Sequence, residues 1–145
     1  MDKICLEPLK EVVTYNERKN KNGRLVELLK DGEKTLVYLT TILPREFKGY
    51  HLHRIREANY VCVKGIVKVT MYDLKNKKKE EVELIERVPV KLHIPTYVAT
   101  GLRNVGEEEA AIINFPNPPY HPGHLENREQ VEYSKSELEK IIGVD

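Results

Sequence analysis

The chain has no tryptophan, only two cysteines and two phenylalanines among 145 residues, and no long apolar run. Cys5 and Cys62 are too few for a disulfide framework, and without a Cys-x-x-Cys pair there is no thiol zinc site or dithiol redox centre. No stretch approaches the roughly 18 apolar residues that a membrane-spanning helix needs, and Met1–Lys10 contains no apolar signal segment. The expectation is therefore a soluble, cytoplasmic protein. Charge of one sign is also lacking. With 24 basic against 23 acidic side chains and a net charge of +1, nothing global draws the chain to nucleic acid or to a membrane surface. A hydrophobic fraction of 40% argues against disorder, and a charged fraction of 32% supplies a solvated surface. This length provides for one hydrophobic core, so residues 1–145 are expected to form a single domain.

What the sequence does contain is a series of short apolar runs. Leu36–Leu43 is rich in β-branched and aromatic residues and stops at Pro44. Tyr60–Val63 and Ile66–Tyr72 flank Lys64-Gly65, which reads as a tight turn between antiparallel strands. Val82–Ile85, Val90–Ile94 and Ala110–Phe115 follow, each bounded by charge, proline or glycine. Repeated short strands at this spacing predict an all-β sandwich or barrel rather than alternating β and α units. One helix is expected at the end, where Ser134 or Ser136 caps it, Leu138, Ile141 and Ile142 have helical spacing, and Gly143 stops it. The segment 114–127 carries four prolines and reads as extended loop. Cys62, inside an apolar run, reads as a small core residue, and Lys77, Lys78 and Lys79 as solvated charge in a turn before Glu80 and Glu81.

The chemistry-bearing stretch is Phe47-Lys-Gly-Tyr-His51-Leu-His53. Two imidazoles two residues apart on an extended strand project from the same face, where they bind a metal or place one histidine as a general base. The HxH pair, an apolar strand and then Gly65 resemble the first cupin motif. Pro95-Thr-Tyr-Val-Ala-Thr100-Gly101-Leu-Arg-Asn104 resembles the second. For a metal-binding cupin the resemblance implies a glutamate where Ala58 stands and a histidine where Thr100 stands. Glu57 is one residue out of register and so on the other strand face, and His93 reads as structural. No closed metal site is expected.

Over residues 20–126 the chain resembles the metal-free branch, the cupin-fold dTDP-4-dehydrorhamnose 3,5-epimerases and sugar-nucleotide 3,4-ketoisomerases. Asn22-Gly-Arg24-Leu-Val-Glu27 resembles the segment D-x-R-G-x-(F/L)-x-E. Lys48-Gly-Tyr-His51 resembles the epimerase R-G-L-H, and Gly49-Tyr-His51-Leu-His53 the ketoisomerase R-G-x-H-A-H. Met71-Tyr-Asp-Leu-Lys75 resembles a V-D-L-R strand end, and Tyr120, in Pro-Pro-Tyr-His-Pro, stands at the place of the Y-x-P tyrosine.

The resemblance implies a cupin jelly-roll barrel with a short C-terminal helix, a homodimer, and no cofactor. It implies a nucleotide-sugar substrate in cell-surface polysaccharide biosynthesis, a 4-keto-6-deoxy sugar whose C–H bonds beside the ketone are acidic. His51 is then the expected base, His53 its orienting group, second base or enolate stabiliser, and Tyr120 the proton donor. Arg24, Glu27, Lys48, Tyr60 and Lys75 are the expected substrate-binding residues, the cations as diphosphate partners along with Arg54 and Arg56. The chain departs from the pattern at Ala58, where the epimerases carry a lysine, at Thr100, and in offering only Glu126 for the carboxylate that buttresses the base. Two alternatives therefore stay open. One is a non-catalytic cupin that binds a sugar nucleotide, and the other is a metal-dependent cupin using His51 and His53.

Overall fold

The computed structural model describes residue 6 and residues 8–31, 35–118 and 129–143. The strands are β1 (Glu11–Tyr15), β2 (Lys21–Asp31), β3 (Thr35–Ile42), β4 (Phe47–His53), β5 (Ala58–Lys64), β6 (Ile66–Asp73), β7 (Lys78–Ile85), β8 (Leu92–Ile94), β9 (Val98–Asn104), β10 (Ala110–Asn114) and β11 (Gln130–Glu132). Among the described residues one helix, α1 (Lys135–Ile142), follows. Every strand pairing is antiparallel, and the strands form a six-stranded sheet in the order β1-β2-β3-β10-β5-β8 and a five-stranded sheet in the order β11-β4-β9-β6-β7. This is the expected cupin jelly roll, two sheets packed face to face with their apolar positions turned inward. Among the described residues no helix is long and apolar enough to cross a membrane.

Alternation along the strands decides what is inside. On β6, Val67, Val69 and Met71 point into the barrel and meet Ile42, Leu84, Leu102 and Ile112, all buried. Cys62 lies in the same core, as its apolar run suggests. The outer face of the five-stranded sheet carries a second, smaller cluster, in which Leu138 and Ile142 of α1 cover Leu52, Tyr72 and Ala99. Of the two serines read as caps, Ser134 is the N-cap. Its Oγ accepts from the Glu137 N–H at 3.2 Å, while the Ser134 N–H donates to Glu137 Oε1 at 3.0 Å.

Two features differ from the sequence expectation. Lys64-Gly65 does not join a hairpin, because β5 belongs to the six-stranded sheet and β6 pairs with β7 and β9 in the other. Gly65 is the corner where the chain changes sheet. It sits at φ +81°, and a Cβ there would stand 3.0 Å from Ala110 Cβ. The basic run before Glu80 is also only partly a turn. Lys78 and Lys79 begin β7 opposite Asp73 and Tyr72, with the Lys79 ammonium 5.4 Å from the Tyr72 ring centre.

Candidate active site

The interior is not filled throughout. A cavity of about 480 Å³ lies between the sheets, walled on one side by β4 and β9 and on the other by inward residues of β1, β2, β3, β5 and β10. Its apolar wall is Leu25, Ile94, Val98 and Leu102, and its polar groups include Lys48, His51, His53, Arg56 and Tyr60.

Strand β4 carries most of this chemistry through an irregularity. Strict alternation would put Lys48 on the face opposite His51, but the pairing with β9 slips between Lys48 and His51. The slip is a β-bulge at Gly49 and Tyr50, so that Lys48, opposite Leu102, and His51, opposite Thr100, both line the cavity. Tyr50 turns outward instead, 5.0 Å from Phe47 ring to ring, and both rings lie over Gly101. His53 follows His51 on the inner face, as the spacing of the pair predicts.

Behind His53 stands a residue that sequence reasoning missed. Glu129 is 2% exposed, and its Oε1 accepts from Arg56 Nε at 2.8 Å and faces His53 Nδ1 at 3.0 Å. Its Oε2 accepts from the backbone N–H groups of Ile55 and Arg56 at 3.2 and 3.0 Å. Burial by itself would raise this carboxyl, but the Arg56 backbone N–H, His53 and the Arg56 guanidinium outweigh it and hold it at about 2. Nδ1 of His53 also lies 3.2 Å from Arg56 Nη2, a group that only donates, while the ionised carboxylate only accepts. The shorter contact, to Glu129, sets Nδ1 as the donor and leaves the lone pair on Nε2 of the neutral ring. Burial, helped by the Arg56 charge, lowers His53 below the ordinary histidine value against the opposing pull of Glu129. Burial and the Arg56 charge thus favour the neutral imidazole, whose Nδ1 sits between the carboxylate and the guanidinium.

His51 has a different setting. Its Nδ1 is 3.1 Å from Gln130 Nε2 and 3.6 Å from Glu132 Oε1, both on β11, which pairs with β4 along this stretch. Burial lowers it, Glu132 raises it, and the charges of His53 and Lys48 lower it further. Burial also brings the Lys48 ammonium down to about 8, against a raising effect of Glu109, and pushes the Tyr60 phenol up to about 12.

Of the eight residues singled out from the sequence, the cavity brings together His51, His53, Glu27, Lys48 and Tyr60. Arg24 is not among them. It alternates with the cavity-lining Leu25, so its side chain leaves by the other face of β2, where Nη1 meets Glu11 Oε1 at 3.3 Å. Lys75 is in the turn after β6, with its ammonium 4.8 Å from the Tyr97 ring centre and away from the cavity. Tyr120 and Glu126 lie outside the described residues. Among the expected diphosphate cations, Arg56 lines the cavity but is joined to Glu129, and Arg54 is exposed.

The metal-dependent alternative fits this donor set poorly. Ala58 and Thr100 line the cavity where a carboxylate and an imidazole would be needed, and Nδ1 of His53 is already held by Glu129. Glu57 and His93 pair with each other at 3.1 Å outside the cavity. Among the described residues, no three histidine, cysteine or acidic side chains gather in a metal-binding arrangement.

Comparison with known proteins sets this geometry in a family. The chain is 31% identical over 110 residues to the spore coat polysaccharide biosynthesis protein SpsL of Bacillus subtilis (strain 168), covering 69% of this chain and 73% of that protein. Its fold superposes on the capsular polysaccharide assembling protein CapF from Staphylococcus aureus with a TM-score of 0.70 at 18% identity, over 86% of this chain and 34% of CapF. The chain thus spans about a third of CapF. It also superposes on a dTDP sugar isomerase from Desulfovibrio desulfuricans G20 with a TM-score of 0.63 at 18% identity, over 95% of this chain and 87% of that one. Residues 18–127 match the family described as polysaccharide biosynthesis C-terminal domain. The cupin-type, epimerase-like resemblance read from the histidine motif therefore holds, and the chain belongs to the polysaccharide biosynthesis C-terminal domain family.

Proposed function

We propose that this protein is a metal-independent epimerase or isomerase of nucleoside-diphosphate 4-keto sugars, acting in polysaccharide biosynthesis by moving a proton next to the ketone. The observation that carries this reading is the hydrogen bond from His53 Nδ1 to the buried, ionised Glu129. A base for this chemistry must be neutral at working pH, hold its lone pair toward the substrate, and be stabilised once it becomes an imidazolium. Glu129 provides the last two conditions and burial the first. The family resemblance implies His51 as the base; we place that role on His53, which the carboxylate holds. His51 stands beside it on the same strand face and contacts the sugar. Tyr60 stays protonated across the physiological range and donates a hydrogen bond to the sugar. The cavity volume of about 480 Å³ accommodates one hexose, with the nucleotide reaching toward its mouth at Lys10 and Glu27.

The names of the relatives are consistent with this placement. SpsL and CapF are named for spore coat and capsular polysaccharide, and the isomerase for a dTDP sugar. A second reading, a cupin that binds the sugar nucleotide without turning it over, follows from the absence of the epimerase lysine at Ala58. Incubation with dTDP-4-keto-6-deoxyglucose in deuterated water separates the two. Deuterium entering at C3 or C5, with the rate lowered at least about 100-fold in His53→Ala, is the expected outcome. Binding of the same compound without any exchange would replace the enzyme reading with the binding one.

A further inference from the structure

Taking a proton from the carbon beside a ketone leaves negative charge on the ketone oxygen, two bonds away. A group that receives that charge must stand close to the base. The residue at Ala58 has no polar atom, so another side chain must meet the oxygen if the cavity is to do this chemistry. Three cationic side chains line the cavity. Arg56 is engaged with Glu129, and Lys10 is exposed at the mouth. Lys48 is the third. The bulge at Gly49 and Tyr50 brings it onto the same strand face as both histidines, near enough that its charge lowers His51. Among the described residues its ammonium has one hydrogen-bond partner, the neutral backbone carbonyl of Arg24 at 3.3 Å, and no carboxylate within ion-pair distance. An ammonium has three donors, so the others remain to be directed at a ligand.

We propose that Lys48 is a catalytic residue, its Nζ donating to the ketone oxygen of the bound sugar as the enolate forms. This rests on reading the cavity as a keto-sugar site. In the step, the C–H bond next to the carbonyl breaks and its proton goes to His53 Nε2. The C–H electron pair becomes the C=C bond, and the carbonyl π pair moves onto the oxygen facing Lys48. Reprotonation at carbon reverses the flow, and no oxidant or reductant takes part. A half-buried ammonium held at about 8 is still mostly protonated at pH 7 and is a better donor than a free lysine.

The test compares wild type, Lys48→Met and Lys48→Arg, measuring both deuterium exchange into dTDP-4-keto-6-deoxyglucose and equilibrium binding of that compound. Lys48→Met is expected to lower the exchange kcat at least about 100-fold while affinity changes less than about threefold. In wild type the rate falls off above pH 8 as the ammonium deprotonates. In Lys48→Arg part of the rate returns and that alkaline limb moves out of range, since guanidinium does not titrate there. Weakened binding with an unchanged kcat in Lys48→Met would overturn the assignment and return Lys48 to the diphosphate. Wild type that binds without exchange would instead remove the keto-sugar enzyme reading itself, so the two failures are distinct.

Discussion

Four donors converge on one carboxylate at Glu129, namely the backbone N–H groups of Ile55 and Arg56, the Arg56 guanidinium and His53 Nδ1. Replacing Glu129 with glutamine keeps the shape but removes the charge and sets an amide N–H₂ against some of those donors. The buried pair between Arg56 and this carboxylate is then broken, a loss of about 3–5 kcal/mol. We expect Glu129→Gln to lower the urea midpoint accordingly and, in whatever fraction stays folded, to slow deuterium exchange at least about 100-fold with sugar-nucleotide affinity retained. Normal exchange in this variant would mean that His53 does not act through Glu129. Nothing in the sequence singles out this residue. It is 76 positions from His53, in a stretch that also offers Glu126 and Glu132, and only folding decides which carboxylate is buried. The histidine pair was legible because strand periodicity acts over two residues. Its partner was not, because the contact is long-range.

Strand β4 shows what a local rule reads and where it stops. Alternation places His51 and His53 together, but it also puts Lys48 on the far side, and the bulge reverses that. Gly49 permits the bulge. Its φ is +130°, and a Cβ would come 2.6 Å from the Thr100 carbonyl oxygen and 2.8 Å from Gly101 Cα. Both neighbours are backbone and cannot swing aside. Gly49→Ala is therefore expected to cost at least about 2 kcal/mol in chemical denaturation and to reduce exchange by misplacing Lys48 and His51 together. A fully stable, fully active Gly49→Ala protein would show that the bulge does not set the site. The C-terminal helix was more legible, since its capping box and terminal Gly143 act within the segment itself. Strands β1, β2 and β11 lack a continuous apolar run, and their polar residues gave no strand signal of their own.

At the scale of the molecule, the fold class followed from many short strands, while the assignment of strands to sheets did not. Gly65 reads as a hairpin turn from its neighbours, and its role as the corner between sheets depends on β9 and β10 lying where they do. The cavity is likewise a property of the whole barrel, and its buried titrating groups give the protein a defined stability profile. His51 and His53 are lowered by burial, so below about pH 6.5 the unfolded chain binds protons that the folded one resists, and stability falls with pH. Glu129 is held at about 2 against the ordinary 4.5, so its contribution is complete above pH 4.5 and is lost as pH falls toward 2. That shift corresponds to something on the order of 3 kcal/mol. Lys48, at about 8 rather than 10.5, acts on the alkaline side with the same sign, so stability rises from pH 8 until Tyr60, raised to about 12, opposes it above pH 10. Denaturation midpoints measured from pH 2 to 11 should therefore climb to about 6.5, level off, and rise again above 8. Lys48→Met should lack the alkaline rise, and Glu129→Gln should have a shallower acid slope below 4.5, the remainder coming from Asp73, Glu81 and Glu137, whose carboxyls are also held low by their hydrogen bonds. An acid slope unchanged in Glu129→Gln would show that other carboxylates set it, and that the cavity's charge network is not what acid takes apart first.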